Sequence, residues 1–366
     1  MKVFPVLLAL VLAGLTACGQ APVQPATPVI KTPAPIPVKV VLVTMFEIGT
    51  DDDAQAGEFQ LWKQRRNLTA RFTFGGYHDL WLEPESGLLV MVTGIGTANS
   101  AASVMMLGMD PRFDLRKAYW LVDGIAGFDP ADASIGSAAW ASYAVDGDLA
   151  HEIDAREMPK EWPFGYFARY TKKPFDENKP QPTGEMFALD AGLTEWAFQL
   201  TKDMTLPDIA SLSATRDLYT DHPNAQRPPF VLKGDTLSAM TFWHGALLND
   251  WANRWVKYWT DGKGEFVSSA MEDTGTLQSL TYLANAGKVD LHRAMVLRTA
   301  SNYTMPPTGV GAAQNLLKEN AGYAGLEAAL ESAYLVGSKV IDTLITHWNV
   351  YQDRLPAVDD LSKGTP

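Results

Sequence analysis

One three-part pattern recurs along this chain: a short β-prone apolar run, a turn of glycine and other small residues, then a helical stretch. Leu88-Leu89-Val90-Met91-Val92 runs into Thr93-Gly94-Ile95-Gly96-Thr97-Ala98-Asn99, and residues 100–109 continue as a helix. The run 118–122 is closed in the same way by Asp123-Gly124-Ile125-Ala126-Gly127. Strands that alternate with helices form βαβ units, and these form a mostly parallel sheet. The pattern therefore predicts an α/β fold. It also predicts ligand chemistry beyond the carboxyl ends of the strands, where open sheets of this kind bind.

Further strands are expected at 38–43, 140–145, 230–232, 266–267 and 294–299, and helices at 60–66, 186–202, 246–259, 274–286 and 325–347. Residues 146–182 mix charges, aromatics and prolines without a period and read as a long insertion or lid. Trp251, Trp255 and Trp259 recur at a spacing of four, so their stripe faces either the core or a neighbouring subunit.

The amino-terminal region reads differently. Met1-Lys2 precedes an apolar run, 3–15, that is too short to span a bilayer as a helix and reads as a secretory signal. It ends in Leu15-Thr16-Ala17-Cys18, which resembles a bacterial lipoprotein signal with Cys18 as the lipidated residue. Gly19 rather than Asp follows, which favours an outer-membrane anchor facing the periplasm. Residues 21–37 hold six prolines and one charge, a composition that stays extended as a spacer. The expected organisation is a signal at 1–18, a linker at 19–37, one domain at 38–356 and a tail at 357–366. A single cysteine leaves no disulfide or thiolate metal cluster, and no cofactor motif is visible. The formal charge of −12 argues against nucleic acid as a partner. No other stretch approaches the roughly 20 apolar residues of a membrane helix, so a lipid is the expected link to the membrane.

The strand-to-helix junction Phe266-Val267-Ser268-Ser269-Ala270-Met271-Glu272-Asp273-Thr274-Gly275 carries the most chemistry. Asp273 or Thr274 suits a helix N-cap. Glu272 stands before the cap, where a carboxylate can grip a vicinal diol with two charge-assisted hydrogen bonds. Phe242 and Trp243 lie in another strand-to-helix connection and can either stack a flat ring or anchor the loop. Asn302 follows the last strand, at the same sheet edge as Glu272 if the strands are parallel.

Several junctions taken in order resemble the nucleoside phosphorylases and nucleosidases: Met45-Phe46-Glu47, Gly94-Ile95-Gly96, Asp123-Gly124-Ile125-Ala126-Gly127, Ala270-Met271-Glu272 and Ala300-Ser301-Asn302. Gly234-Asp235, Thr241-Phe242-Trp243-His244-Gly245 and Met271-Glu272-Asp273-Thr274-Gly275 are most similar to the purine nucleoside permease family. The resemblance implies a three-layer αβα fold, a purine nucleoside ligand and assemblies from dimers to hexamers. It implies that Met271 packs on the ribose, Glu272 holds its 2′- and 3′-hydroxyls, Asn302 faces N7 of the purine, and Phe242 or Trp243 stacks the base. Gly94 and Gly96 would line the floor under the sugar or its acceptor, Asp123 and Gly124 would lie beside it, and Glu47 would orient an attacking water.

Where the phosphorylases hold phosphate, this chain has Val122 and Ile125, with Asp123 beside them to repel it. Three functions remain open. One is a nucleoside-binding envelope protein that supports uptake through a separate membrane transporter. Another is an enzyme that cleaves the N-glycosidic bond, by water rather than by phosphate. The third is an envelope protein with a degenerate pocket and a scaffolding role.

Overall fold

The structure is a computed structural model that describes residues 33–53, 56–319 and 322–362. The expected signal, Cys18 and most of the linker lie outside the described residues. The last linker residues are already part of the fold, since Ile36–Pro37 pairs in parallel with Phe113–Asp114.

Six strands position the site: β1 (Val40–Thr44), β2 (Leu88–Val92), β3 (Tyr119–Phe128), β4 (Asp235–Ser238), β5 (Phe266–Ala270) and β6 (Ala294–Tyr303). β3 is central. It runs parallel to β1 over its first half and parallel to β6 along its whole length, and it meets β5 in antiparallel fashion at Gly127 and Phe128. β1 pairs in parallel with β2, and β4 with β5. Antiparallel strands Leu80–Glu83 and Ala70–Phe72 extend one edge, so the sheet is mixed and mostly parallel, as the recurring pattern predicts.

Five helices matter here: α1 (Thr97–Gly108), α2 (Ala246–Trp259), α3 (Asp273–Asn285), α4 (Ala312–Glu319) and α5 (Leu326–Thr346). Alternation along the strands sorts the core into two layers. Val41, Val43, Trp120 and Val122 pack with Leu107 of α1 and Leu280 of α3. Leu42, Leu121 and Leu297 pack with Val336, Val340 and Ile341 of α5 on the opposite face. Trp251, Trp255 and Trp259 are buried against Leu237 and Phe266, so their stripe is core. The insertion packs onto α2, with Tyr166 against Trp251 and Phe175 against Tyr258.

Three local expectations are corrected. Asp123–Gly127 is not a turn; β3 continues through it to Phe128, because β6 supplies a parallel partner, with Arg298 opposite Gly124 and Ala300 opposite Ala126. β6 likewise continues past Thr299 to Tyr303, with a register shift between Ala300 and Asn302 of the kind that re-aims a side chain. The helix expected from 186 is a short strand, Met186–Ala188, followed by a helix from Ala191 that is capped by the Asp190 carboxylate.

α1 and α3 cross closely at Gly275, where an added Cβ would collide with the Thr97 carbonyl oxygen and stand 2.5 Å from Ser100 Oγ. That contact seats the starts of both helices together. Thr97 Oγ1 donates to the Met271 carbonyl at 2.9 Å and Ser100 Oγ to the Glu272 carbonyl at 3.0 Å. A backbone oxygen cannot swing aside, so Gly275→Ala is expected to cost ~1–3 kcal/mol, read as a lower urea midpoint with an unchanged slope.

Candidate functional site

A cavity of about 270 Å3 opens at the carboxyl ends of β1, β3, β5 and β6. It is close to the roughly 300 Å3 at which small-molecule pockets begin. Glu58, Met271, Glu272, Asn302, Phe242 and Tyr323 are among its lining residues, with Met45, Ile95 and Ile125 supplying apolar surface. Among the described lining residues there are two carboxyl groups and no lysine or arginine.

Glu272 is 5% exposed and follows β5 as the N-cap residue of α3. Its Oε1 accepts from the Gly96 N–H at 2.9 Å, and its Oε2 from the Met271 N–H at 3.3 Å. Gly96 adopts a φ of 95°, a conformation that side-chain-bearing residues avoid, and this turns its N–H inward. Arg298 Nη2 reaches Glu272 Oε2 at 3.2 Å from β6. Burial raises the Glu272 pKa; Arg298 and the Gly96 N–H oppose that, and Asp273 adds to it. Hydroxyl donors entering the cavity would favour the ionised form.

Arg298 organises the floor. It is 1% exposed, on the face of β6 that points towards α3. Its Nε lies 3.0 Å from Asp273 Oδ1, and its Nη1 donates to the Ile125 carbonyl at 3.3 Å. Asp273 Oδ2 accepts from Thr236 Oγ1 at 2.8 Å. Burial works against the guanidinium charge, but Asp273, Glu272 and Glu58 outweigh it and raise the Arg298 pKa. The expected N-cap role of Asp273 is therefore corrected: its carboxylate serves the ion pair.

Glu58 is the second carboxyl group of the cavity. Its Oε2 accepts from the Met45 N–H at 2.7 Å and its Oε1 from the Ile125 N–H at 2.8 Å. Burial pushes its pKa up to about 8; Arg298 and the two N–H donors pull it down, and Glu272 pushes it further up. Gly124 makes room for this arrangement. A Cβ there would collide with Met45 Cε and Glu58 Oε1 and stand 2.8 Å from Arg298 Nη1.

The predicted site residues divide. Met271, Glu272, Asn302 and Phe242 meet in the cavity, and Gly96 and Gly124 support its wall. Gly94 (φ 81°) lies under the Tyr77 ring and is not among the residues that line the cavity. Trp243 turns inward against Trp251 and Phe266, so Phe242 alone of the two borders the cavity, nearly parallel to Tyr323 at 6.3 Å. Glu47 stands outside the cavity wall beside Tyr77, whose pKa is raised by burial and then by this carboxylate. Asp123 faces the other side of the sheet, against Trp62 and Gly337, by the same alternation that aims Leu121 at α5. There, burial and the nearby Glu58 raise its pKa far above the usual carboxylate range.

Glu58, Arg298 and Tyr323 were not anticipated. Arg298 had a signal, since a lone charge in the apolar run Ala294-Met295-Val296-Leu297 must find a buried partner. Glu58 had none, because it follows no strand.

The topology is that of a known fold. The fold is similar to that of 5′-methylthioadenosine/S-adenosylhomocysteine nucleosidase from Neisseria meningitidis, solved with methylthio-immucillin-A, with a TM-score of 0.50 and 14% identity over 83% of this chain and 99% of that one. This is a nucleoside phosphorylase-like fold. The family model for purine nucleoside permease matches residues 37–356. The chain belongs to the purine nucleoside permease family. Its relatives include a protein named as a probable purine nucleoside permease in Schizosaccharomyces pombe, 28% identical over 86% of this chain and 90% of that protein. Another is the purine nucleoside permease of Candida albicans, 30% identical over 85% of this chain and 76% of its own length.

Removing one partner of a buried ion pair leaves the other charge uncompensated, which typically costs 3–5 kcal/mol. Arg298→Met is therefore expected to destabilise the protein by ~3–5 kcal/mol in urea unfolding, and adding Asp273→Asn should recover part of the loss.

Proposed function

We propose that this chain binds purine nucleosides, with Glu272 holding the ribose diol and Asn302 and Phe242 meeting the base. The observation that carries the reading is the placement of Glu272, Met271, Asn302 and Phe242, which come from three separate segments of the chain, around one cavity. The names of the fungal relatives support the ligand class. Two lining carboxyl groups without a facing cation make a poor phosphate site, and Arg298 is already engaged by Glu272 and Asp273.

Binding is favoured over cleavage by the protonation chemistry. The carboxyl group that borders the cavity where a water would be activated is Glu58, and a pKa of about 8 leaves it mostly protonated at neutral pH. Asn302 can hydrogen-bond a leaving base but has no acidic proton to give. A hydrolytic reading survives as the alternative, with Glu58 in the role expected of Glu47.

Among the described residues no helix is long and apolar enough to cross a membrane. The proposal gives this chain the capture step and a separate transporter the crossing. The Leu15-Thr16-Ala17-Cys18 sequence supports lipidation at Cys18 and a periplasm-facing envelope location. Mass spectrometry of the membrane fraction reads that modification directly.

The test incubates purified protein with inosine or adenosine, with and without phosphate. Equilibrium dialysis reads retained nucleoside and chromatography reads free base. The expected result at neutral pH is retention without free base. Glu272→Ala should weaken retention by at least about tenfold, the value of lost charge-assisted hydrogen bonds. Phosphate-dependent release of base would overturn this account of the cavity. Turnover that rises as pH passes about 8 would instead establish the hydrolytic reading, with Glu58 as base.

A further inference from the structure

Behind Asn302 lies a hydrogen-bonded series that nucleoside capture does not by itself require. Asn302 Nδ2 donates to Glu319 Oε2 at 3.3 Å and to the Tyr303 carbonyl at 3.3 Å, while Asn302 Oδ1 accepts from Ser301 Oγ at 2.9 Å. Asn315 Nδ2 donates to Glu319 Oε1 at 2.8 Å and lies 3.1 Å from His244 Nε2. Glu319 ends α4 and lines a smaller cavity that shares Ser301 and Asn302 with the main one. A carboxyl group is thus placed behind the one amide that borders both cavities.

We propose that Glu319 is a specificity-determining residue that positions Asn302: its protonation decides whether the amide turns its acceptor or its donor edge to the nucleobase. This rests on the nucleoside-binding reading. An ionised carboxylate only accepts hydrogen bonds, so it holds the Asn302 NH2 group and leaves the amide oxygen for the ligand. In the structure the NH2 group is held in this way, and the amide oxygen accepts from Ser301 Oγ with capacity for a second donor. A protonated Glu319 can donate, so the amide turns over, its oxygen accepts from Glu319, and its NH2 group faces the cavity. The Ser301 hydroxyl suits both states because it donates or accepts by rotating. Turning over gives up the Asn302 bond to the Tyr303 carbonyl, so the Glu319 and Ser301 bonds must outweigh that loss.

The surroundings place the switch near neutrality. Burial pushes the Glu319 pKa up to about 7, against the bonds from Asn315 and Asn302 and the Lys318 charge. The titratable groups that face it are Lys318 on its own helix, Tyr219 and Tyr323 from neighbouring segments, and His244 through Asn315. Burial lowers the His244 pKa and so disfavours a competing charge on that ring.

The ligand consequence is directional. N7 of an ordinary purine nucleoside accepts, whereas a 9-deaza nucleoside carries an N–H donor at that position. Inosine should bind tighter with Glu319 protonated, and 9-deazainosine with Glu319 ionised. Mismatched donors or acceptors in a buried site typically cost about tenfold or more.

The test is calorimetric titration of both ligands from about pH 5.5 to about pH 8, a range centred on the Glu319 pKa of about 7, in the intact protein and in Glu319→Gln. The expected result is inosine weakening about tenfold and 9-deazainosine tightening by a similar factor as pH rises, with the two profiles running parallel in Glu319→Gln. Parallel profiles for the two ligands in the intact protein, or opposite profiles that persist in Glu319→Gln, would overturn the proposal. A merely structural role would weaken both ligands equally at every pH and would overturn it too. Failure of both ligands to bind the unmodified protein at any pH would sink the nucleoside reading itself, and this inference with it.

Discussion

The buried guanidinium of Arg298 is the constraint that the rest of the site obeys. It comes from β6 and meets two consecutive acids at the start of α3, and it also touches the β3 backbone at Ile125. Three elements, one of them far away in sequence, are therefore tied at one point. A charge this deep is expensive to desolvate, and only several good contacts make it tolerable. The return is orientation. Glu272 is held by a cation from below and by two backbone N–H groups, so its oxygens are fixed before any ligand arrives.

The same burial divides the acids into roles. Asp273 takes the ion pair, Glu272 faces the cavity while tethered, and Glu58 is held by N–H groups with its pKa at about 8. A carboxyl group that stays protonated at neutral pH makes a weak base, which is why capture without bond cleavage fits this cavity better than hydrolysis. Gly124 is what allows Glu58 and Arg298 to lie so close, since any side chain there would displace one of them.

Much of this was legible in the sequence, for a physical reason. β-prone runs that end in small residues and continue as helices place their junctions at one sheet edge, so Glu272 and Asn302 could be assigned to a shared site before any geometry was known. The failures are equally instructive. Asp123–Gly127 reads as a turn because it is rich in glycine, yet the glycine at 124 serves side-chain packing within a strand. Asp123 was placed in the site by its neighbours, but strand alternation aims it at α5. Trp243 and Phe242 are adjacent and aromatic, and only tertiary packing decides which one is core. Glu58 is invisible to pattern reasoning because it follows no strand and reaches the cavity through hydrogen bonds to Met45 and Ile125.

The central claim is that a pre-positioned carboxylate at residue 272 recognises paired ribose hydroxyls. Calorimetric affinities for inosine, 2′-deoxyinosine and 3′-deoxyinosine at a single pH test it most directly. The account predicts that each missing hydroxyl weakens binding by about tenfold or more, the value of one hydrogen bond to a charged group. Equal affinity for all three ligands would contradict it.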